Sequence, residues 1–194
     1  WKHDAGLLEV YSHQRIKAAN NAVIEHHQVI LADGTGLEFH HDVIIPAQLD
    51  DLQRLGMKFA LEPGIEKLEW FERGLVDTYS DRKGAPVAVH TSSVAEQYVP
   101  YLRPQDHGHH ADTRWAELKS KNSSLKIAAL EPSTISFSAR HHSDEQLEHA
   151  TITAELDAAP ETFVYVDHLL RGLGTGSCGP DTLEQYKIKA GRYQ

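Results

Sequence analysis

An all-β fold is the prediction of this sequence, and three observations make it. Apolar residues recur at every second position in several short runs, turn-forming residues separate those runs, and a single stretch begins like a helix. Val23-Ile24 and Val29-Ile30-Leu31 are β-branched and lead into Asp33-Gly34-Thr35-Gly36, which reads as a hairpin turn into Leu37-Glu38-Phe39. Leu55, Met57, Phe59 and Leu61 alternate with Gly56, Lys58 and Ala60, which predicts a half-buried strand with the first set facing inward. Ile135, Phe137 and Ala139 alternate with Ser136 and Ser138, and Ile152, Ala154 and Leu156 with Thr153 and Glu155; both read as strands. Phe163 to Asp167 is a run with Val164, Tyr165 and Val166 that suits a strand buried on both faces. The helix start is Ser143-Asp144-Glu145-Gln146, a Ser cap with Gln three residues on, followed by Leu147. It predicts a short helix near Asp144 to His149, ending near Ala150. Gly74 to Pro86 and Arg103 to Thr113 resist strand assignment and read as functional or interface loops. The whole, 1–194, is read as one large antiparallel β-sandwich with one short helix.

Composition bounds the function. The 194 residues, 40% hydrophobic and 8% aromatic, suit one larger globular domain or two small ones. A net charge of -9 repels phosphate backbones, so nucleic-acid binding is not expected. The one cysteine, Cys178, makes no internal disulfide and no cysteine-based zinc site, which fits a reducing compartment. No run of 18 apolar residues predicts a membrane span. Trp1-Lys2-His3-Asp4 has no apolar signal region and the one methionine is Met57, so the chain reads as part of a longer or processed product.

Fourteen histidines raise the question of metal binding. Four adjacent pairs occur, His26-His27, His40-His41, His109-His110 and His141-His142, but strand neighbours point to opposite faces and do not chelate one ion. His107, His109 and His110 share a loop and read as solvated surface residues, since no cysteine and no HExxH spacing supports a metal. No metal ligand is therefore assigned. Gly172-Leu173-Gly174-Thr175-Gly176-Ser177 lacks the Lys-Ser or Lys-Thr of a phosphate loop and reads as a tight irregular loop. Asp77 and Asp81 share a loop with Arg82, which reads as loop-ordering hydrogen bonds and an ion pair. No carboxylate pair is marked as a glycosidase couple, so no catalytic residue is expected.

Three segments resemble the C-terminal small-chain domain of β-galactosidases of glycoside hydrolase family 2. The first is Glu69-Trp70-Phe71-Glu72-Arg73-Gly74-Leu75-Val76-Asp77-Thr78-Tyr79-Ser80-Asp81-Arg82, similar to that family's strand and its Gly-Pro-x-Glu-x-Tyr-x-Asp-Arg loop. The second is Glu96-Gln97-Tyr98-Val99-Pro100-Tyr101-Leu102-Arg103-Pro104-Gln105-Asp106-His107-Gly108, with Thr113-Arg114-Trp115 beyond it. It resembles a Tyr-x-x-Pro-Gln-Glu-Asn-Gly segment and its Arg-Trp continuation. The third is Gly172 to Asp181, containing Ser177-Cys178-Gly179-Pro180 and similar to a Gly-rich Ser-Trp or Ser-Cys-Gly-Pro loop. Order and spacing agree over roughly Leu52 to the C-terminus. Leu75 replaces the usual Pro, Asp77 and Asp106 the usual Glu, and His107 the usual Asn, which puts local loop geometry at issue rather than the fold.

The resemblance implies a supersandwich of the galactose-mutarotase-like type and a part in hydrolysing terminal β-D-galactosides such as lactose with retention, in the cytoplasm. It implies that the catalytic carboxylates and the Mg and Na ions sit on a separate catalytic barrel of the same protein, and that the intact enzyme is a homo-oligomer. It implies that Cys178, with Ser177 and Gly179, lines one rim of the substrate pocket, where a Trp in relatives offers a flat face for a sugar ring. A buried packing role for Cys178 remains the rival. Two other functions stay open. A free carbohydrate-binding module needs exposed aromatics, for which Trp1, Trp70, Trp115, Tyr79 and Tyr101 are the candidates. A stand-alone aldose mutarotase needs a His/Glu acid–base pair facing a pocket.

Overall fold

The computed structural model of the protein describes residues 2–4, 6–74, 76–175 and 178–194. Among them are thirteen strands and one α-helix. The strands are β1 (Lys2–Asp4), β2 (Leu7–Lys17), β3 (Val23–Ala32), β4 (Leu37–Ile45), β5 (Arg54–Leu61), β6 (Lys67–Arg73) and β7 (Val87–Ser93). They continue as β8 (His110–Thr113), β9 (Trp115–Lys119), β10 (Ser124–Ala128), β11 (Ile135–Arg140), β12 (Thr162–Leu170) and β13 (Gly191–Tyr193). All pairings between them are antiparallel, in three sheets. The predicted all-β class is the observed one. The chain divides into two compact units, Trp1–Leu52 with Ile188–Gln194, and Gln53–Lys187.

The first unit is a five-stranded sheet in the order β1-β2-β3-β4-β13. The predicted Asp33 turn joins β3 to β4, with Ala32 opposite Leu37. Asp33 Oδ1 accepts from the Thr35 amide (2.8 Å), the Thr35 hydroxyl (2.6 Å) and the Gly36 amide (3.2 Å), which closes the loop locally. The C-terminal β13 returns to β4, and Arg192 grips Asp42 through Nε (2.7 Å) and a terminal nitrogen (2.6 Å).

The second unit is a sandwich of two four-stranded sheets, β10-β9-β6-β7 and β5-β12-β11-β8. Leu68, Trp70, Ala116 and Leu118 from the first meet Phe137, Ala139, Val164 and Val166 from the second in one buried core. Cross-strand register pairs Trp70 with Ala116, so a small side chain faces the largest one. Trp70 is fully buried, which contributes about 3 kcal/mol of apolar transfer. β12 is central between β5 and β11, and Val164, Tyr165, Val166 and Asp167 are all buried, as its apolar run predicts. Gly56 is required where β5 meets β12, because a Cβ there would lie 2.4–2.5 Å from Asp167 and the Val166 carbonyl. The helix, α1 (Asp144–His149), carries the predicted capping box between Ser143 and Gln146 and buries Leu147.

Three expectations fail locally. Ile152 to Leu156 is not a strand. The Thr151 amide and hydroxyl both donate to Glu155 (2.7 and 3.0 Å), coiling Thr153–Glu155 into a 3-10 turn and leaving Ile152 exposed. Local side-chain bonds to the backbone win there over a period-two pattern. Phe59 is exposed rather than inward, since β5 is an edge strand paired with β12 alone, although Leu55, Met57 and Leu61 are half-buried. Arg103 to Thr113 is not irregular throughout, because its last four residues form β8 against β11.

Candidate functional site

The three motif segments converge within the second unit. The loop after β6 begins with Asp77, whose carboxylate accepts from the Tyr101 hydroxyl at 2.9 Å and from the Arg82 guanidinium. The Thr78 amide donates to the His109 carbonyl (2.6 Å), and the Thr78 hydroxyl accepts from the Ala111 amide (2.9 Å). The first segment is thus stitched to the second. Tyr79 lies buried with Arg82 stacked over its ring at 5.2 Å. The shorter Asp77 and Asp106, expected to put the loop geometry at issue, still reach their partners: Asp106 binds Arg54 (2.8 Å), Arg140 and the His109 ring at Nε2 (3.0 Å). Leu75 lies outside the described residues.

Asp81 ties the first segment to the third. Its carboxylate accepts from the Leu173 amide (3.1 Å), the Gly174 amide (2.7 Å) and the Thr182 hydroxyl (2.9 Å). Partial burial opposes its charge, but those donors outweigh it and hold the carboxyl below its usual range. Gly174 has φ +62°, and a Cβ there would lie 2.4 Å from the Thr182 amide, so the staple demands glycine. Beyond it the Thr175 carbonyl accepts from the Cys178 (3.0 Å) and Gly179 (2.6 Å) amides, and the Thr175 amide donates to the Pro180 carbonyl (3.0 Å). The loop is locked at its base. Cys178 and Gly179 are exposed at its tip, while Ser177 and Gly176 lie outside the described residues.

The loop histidines are not the solvated surface residues that the sequence predicts. His107, His109 and His110 are all buried, and they face different partners. His110 joins Glu72 (Nδ1, 2.8 Å) to Gln97 (Nε2, 2.5 Å), His109 meets Asp106, and His107 packs edge-on against Tyr98. Burial, with help from Arg140, pushes the His107 imidazole down to about 4. The reason is that β8 carries His110 into the sandwich and the preceding residues follow it under the loops.

Sequence reasoning also missed Glu72, Arg140 and Asp167. Glu72 is fully buried and accepts from the Trp70 indole (2.7 Å), from His110 and from the Thr78 hydroxyl (3.4 Å). Asp167 is buried beside Arg54 (3.7 Å), and burial raises its carboxyl above the usual value. A carboxylate closing an apolar run on a central strand was the available signal. Each carboxylate of the three segments named here is engaged by donors of the chain itself. The Asp77–Arg82 pair is the loop-ordering contact the sequence predicts. The mutarotase requirement is not met by Glu72 and His110, since both are closed off from solvent. Trp70 and Tyr79 are buried and Trp115 is half-covered by Lys126 (4.9 Å over the ring), so these give no exposed sugar platform; Trp1 lies outside the described residues. No helix among the described residues is long and apolar enough to cross a membrane.

The sequence profile of the β-galactosidase small chain matches residues 6–194. A β-galactosidase of Arthrobacter sp. (strain B7) is 29% identical over 141 residues, covering 70% of this chain and 14% of that protein. That of Kluyveromyces lactis is 31% identical over 146 residues, covering 74% of this chain and 14% of the relative. That of Priestia megaterium is 33% identical over 127 residues, covering 65% of this chain and 12% of the relative. The aligned part is therefore about 14% of the first relative's length. With the match running through all three segments that hold the loop, the chain belongs to the β-galactosidase small chain family.

Proposed function

We propose that this chain serves a retaining β-galactosidase that hydrolyses terminal β-D-galactosides such as lactose, by supplying one rim of the substrate pocket. The catalytic carboxylates and the Mg and Na ions would belong to a catalytic barrel of the same protein, in a cytoplasmic homo-oligomer. Cys178, with Ser177 and Gly179, would meet the sugar. The observation that carries this reading is the exposed position of Cys178 on a loop whose base is fixed by Asp81. A rim element must be both presented and pre-ordered, because ordering a loop on binding costs affinity. A cysteine there offers a small polarisable contact and leaves more room for the aglycone than a Trp.

The test is a fusion. The chain is joined to the remainder of the Arthrobacter relative from which the matching segment has been deleted. Restored hydrolysis of a nitrophenyl β-galactoside, with retention seen by NMR, is expected, together with no turnover by the chain alone. A fusion that folds but stays inactive, or turnover by the chain alone that survives further purification, contradicts the reading.

A further inference from the structure

The first unit carries a histidine arrangement that has no part in the loop. His13 on β2 and His27 on β3 are direct cross-strand partners, so both project from one face of the sheet. Their rings stack at 4.0 Å with 8° between planes. Glu25 lies two residues before His27 on the same strand and therefore on the same face. One ligand atom from each of the three lies within 4.8 Å of the others. Adjacent histidines cannot chelate from a strand, but strand pairing supplies what adjacency withholds.

We propose that His13, His27 and Glu25 bind one divalent transition ion, with zinc as the ligand. Two imidazoles and a carboxylate are the donor set that zinc, nickel and copper take in preference to magnesium or calcium, which favour all-oxygen sites. Zinc–nitrogen and zinc–oxygen bonds of about 2.0–2.2 Å need only small rotamer changes to draw such atoms around one ion. Those changes are free here. His13 is exposed, and Glu25 is held among the described residues by a loose ion pair to the exposed Arg15 at 3.8 Å. The outward side stays open for water or a fourth ligand. Asp42 stands opposite His27 on β4, but Arg192 grips its carboxylate, so it takes no part in the donor set. The ion would clip β2 to β3 at mid-length, beyond the Leu7–Glu9 stretch where β1 pairs with β2. An edge strand without a neighbour is where such a clip has value.

The whole chain is titrated with Zn²⁺ by calorimetry and with Cu²⁺ by electron paramagnetic resonance. One ion per chain is expected, with copper showing superhyperfine coupling to two nitrogens. His13→Gln and His27→Gln should each weaken zinc binding by about tenfold or more and reduce the copper coupling to one nitrogen. Glu25→Gln should weaken zinc binding by a smaller factor, and His40→Gln, an exposed histidine on β4, should change nothing. These positions are at or near the surface, and matched circular dichroism spectra identify folded variants. Absence of stoichiometric uptake, or uptake unchanged by His13→Gln or by His27→Gln, overturns the proposal.

Discussion

Glu72 and Asp81 belong to one segment and each accepts three hydrogen bonds, yet they hold different things. Glu72 sits fully buried, and its donors are side chains: Trp70, Thr78 and His110. Asp81 sits half-buried at the margin of the same unit, and two of its three donors are backbone amides of the glycine-rich loop. Depth separates the roles. A deep carboxylate joins β6 to β8, so its loss leaves polar groups stranded in the core. A marginal one fixes a loop that otherwise projects into water, so its loss frees the loop and spares the sandwich.

The contrast breaks most visibly at Glu72. Glu72→Ala strands the Trp70 indole and the His110 ring without their acceptor and is expected to cost about 3–5 kcal/mol. Urea unfolding measures it. A loss under about 1 kcal/mol would mean that water or rotamer change replaces the carboxylate, and that depth is not what matters.

His107 sharpens the same point through pH. Its folded value of about 4 lies below the ordinary 6.5, so between these the unfolded chain binds more protons than the folded one. Stability therefore rises with pH across that window and is lost as pH falls through it, by about 3 kcal/mol for the whole shift. Burial also lowers His41 and His142, which act in the same direction. His107→Asn, which removes the titrating group, should remove the His107 share of the slope and leave that of His41 and His142. An unchanged stability profile from pH 7 to 4 would assign the slope elsewhere.

Asp81 is expected to matter less for stability and more for the loop. Asp81→Ala should cost about 1 kcal/mol and accelerate hydrogen exchange of the Leu173 and Gly174 amides, with strand amides unchanged. Because the folded carboxyl is depressed, its contribution is complete above about pH 4 and is lost as pH falls through its folded value. Faster exchange across β11 and β12 in the variant would show that the loop and the sandwich are one unit of stability.

What the sequence showed and concealed follows from how far each interaction reaches. The Asp33 hairpin and the Ser143 capping box are closed within four residues, and both were legible. The inward run of β12 was legible because burial on both faces writes itself into composition. The Thr151–Glu155 coil was hidden, since its side-chain bonds compete with an alternation that looks like strand. Phe59 was misread because an edge position is a property of the sheet, not of the strand. The motif loops could be found by resemblance, but the contacts that give them meaning, Asp81 to Gly174 and Arg140 to Asp106, join residues far apart in the chain. The His13–His27 row is of the same kind, created by register alone.

The smallest change in stability should accompany the most informative change in kinetics. Cys178 is exposed, so Cys178→Trp is expected to shift stability by no more than about 0.5 kcal/mol. The decisive measurement is kcat and KM of the fused enzyme, with Cys and with Trp at position 178, for two β-galactosides that differ only in aglycone. A pocket-rim loop predicts that the ratio of kcat/KM for the two substrates changes while urea unfolding of the two proteins coincides. Identical ratios in two equally stable enzymes would contradict it.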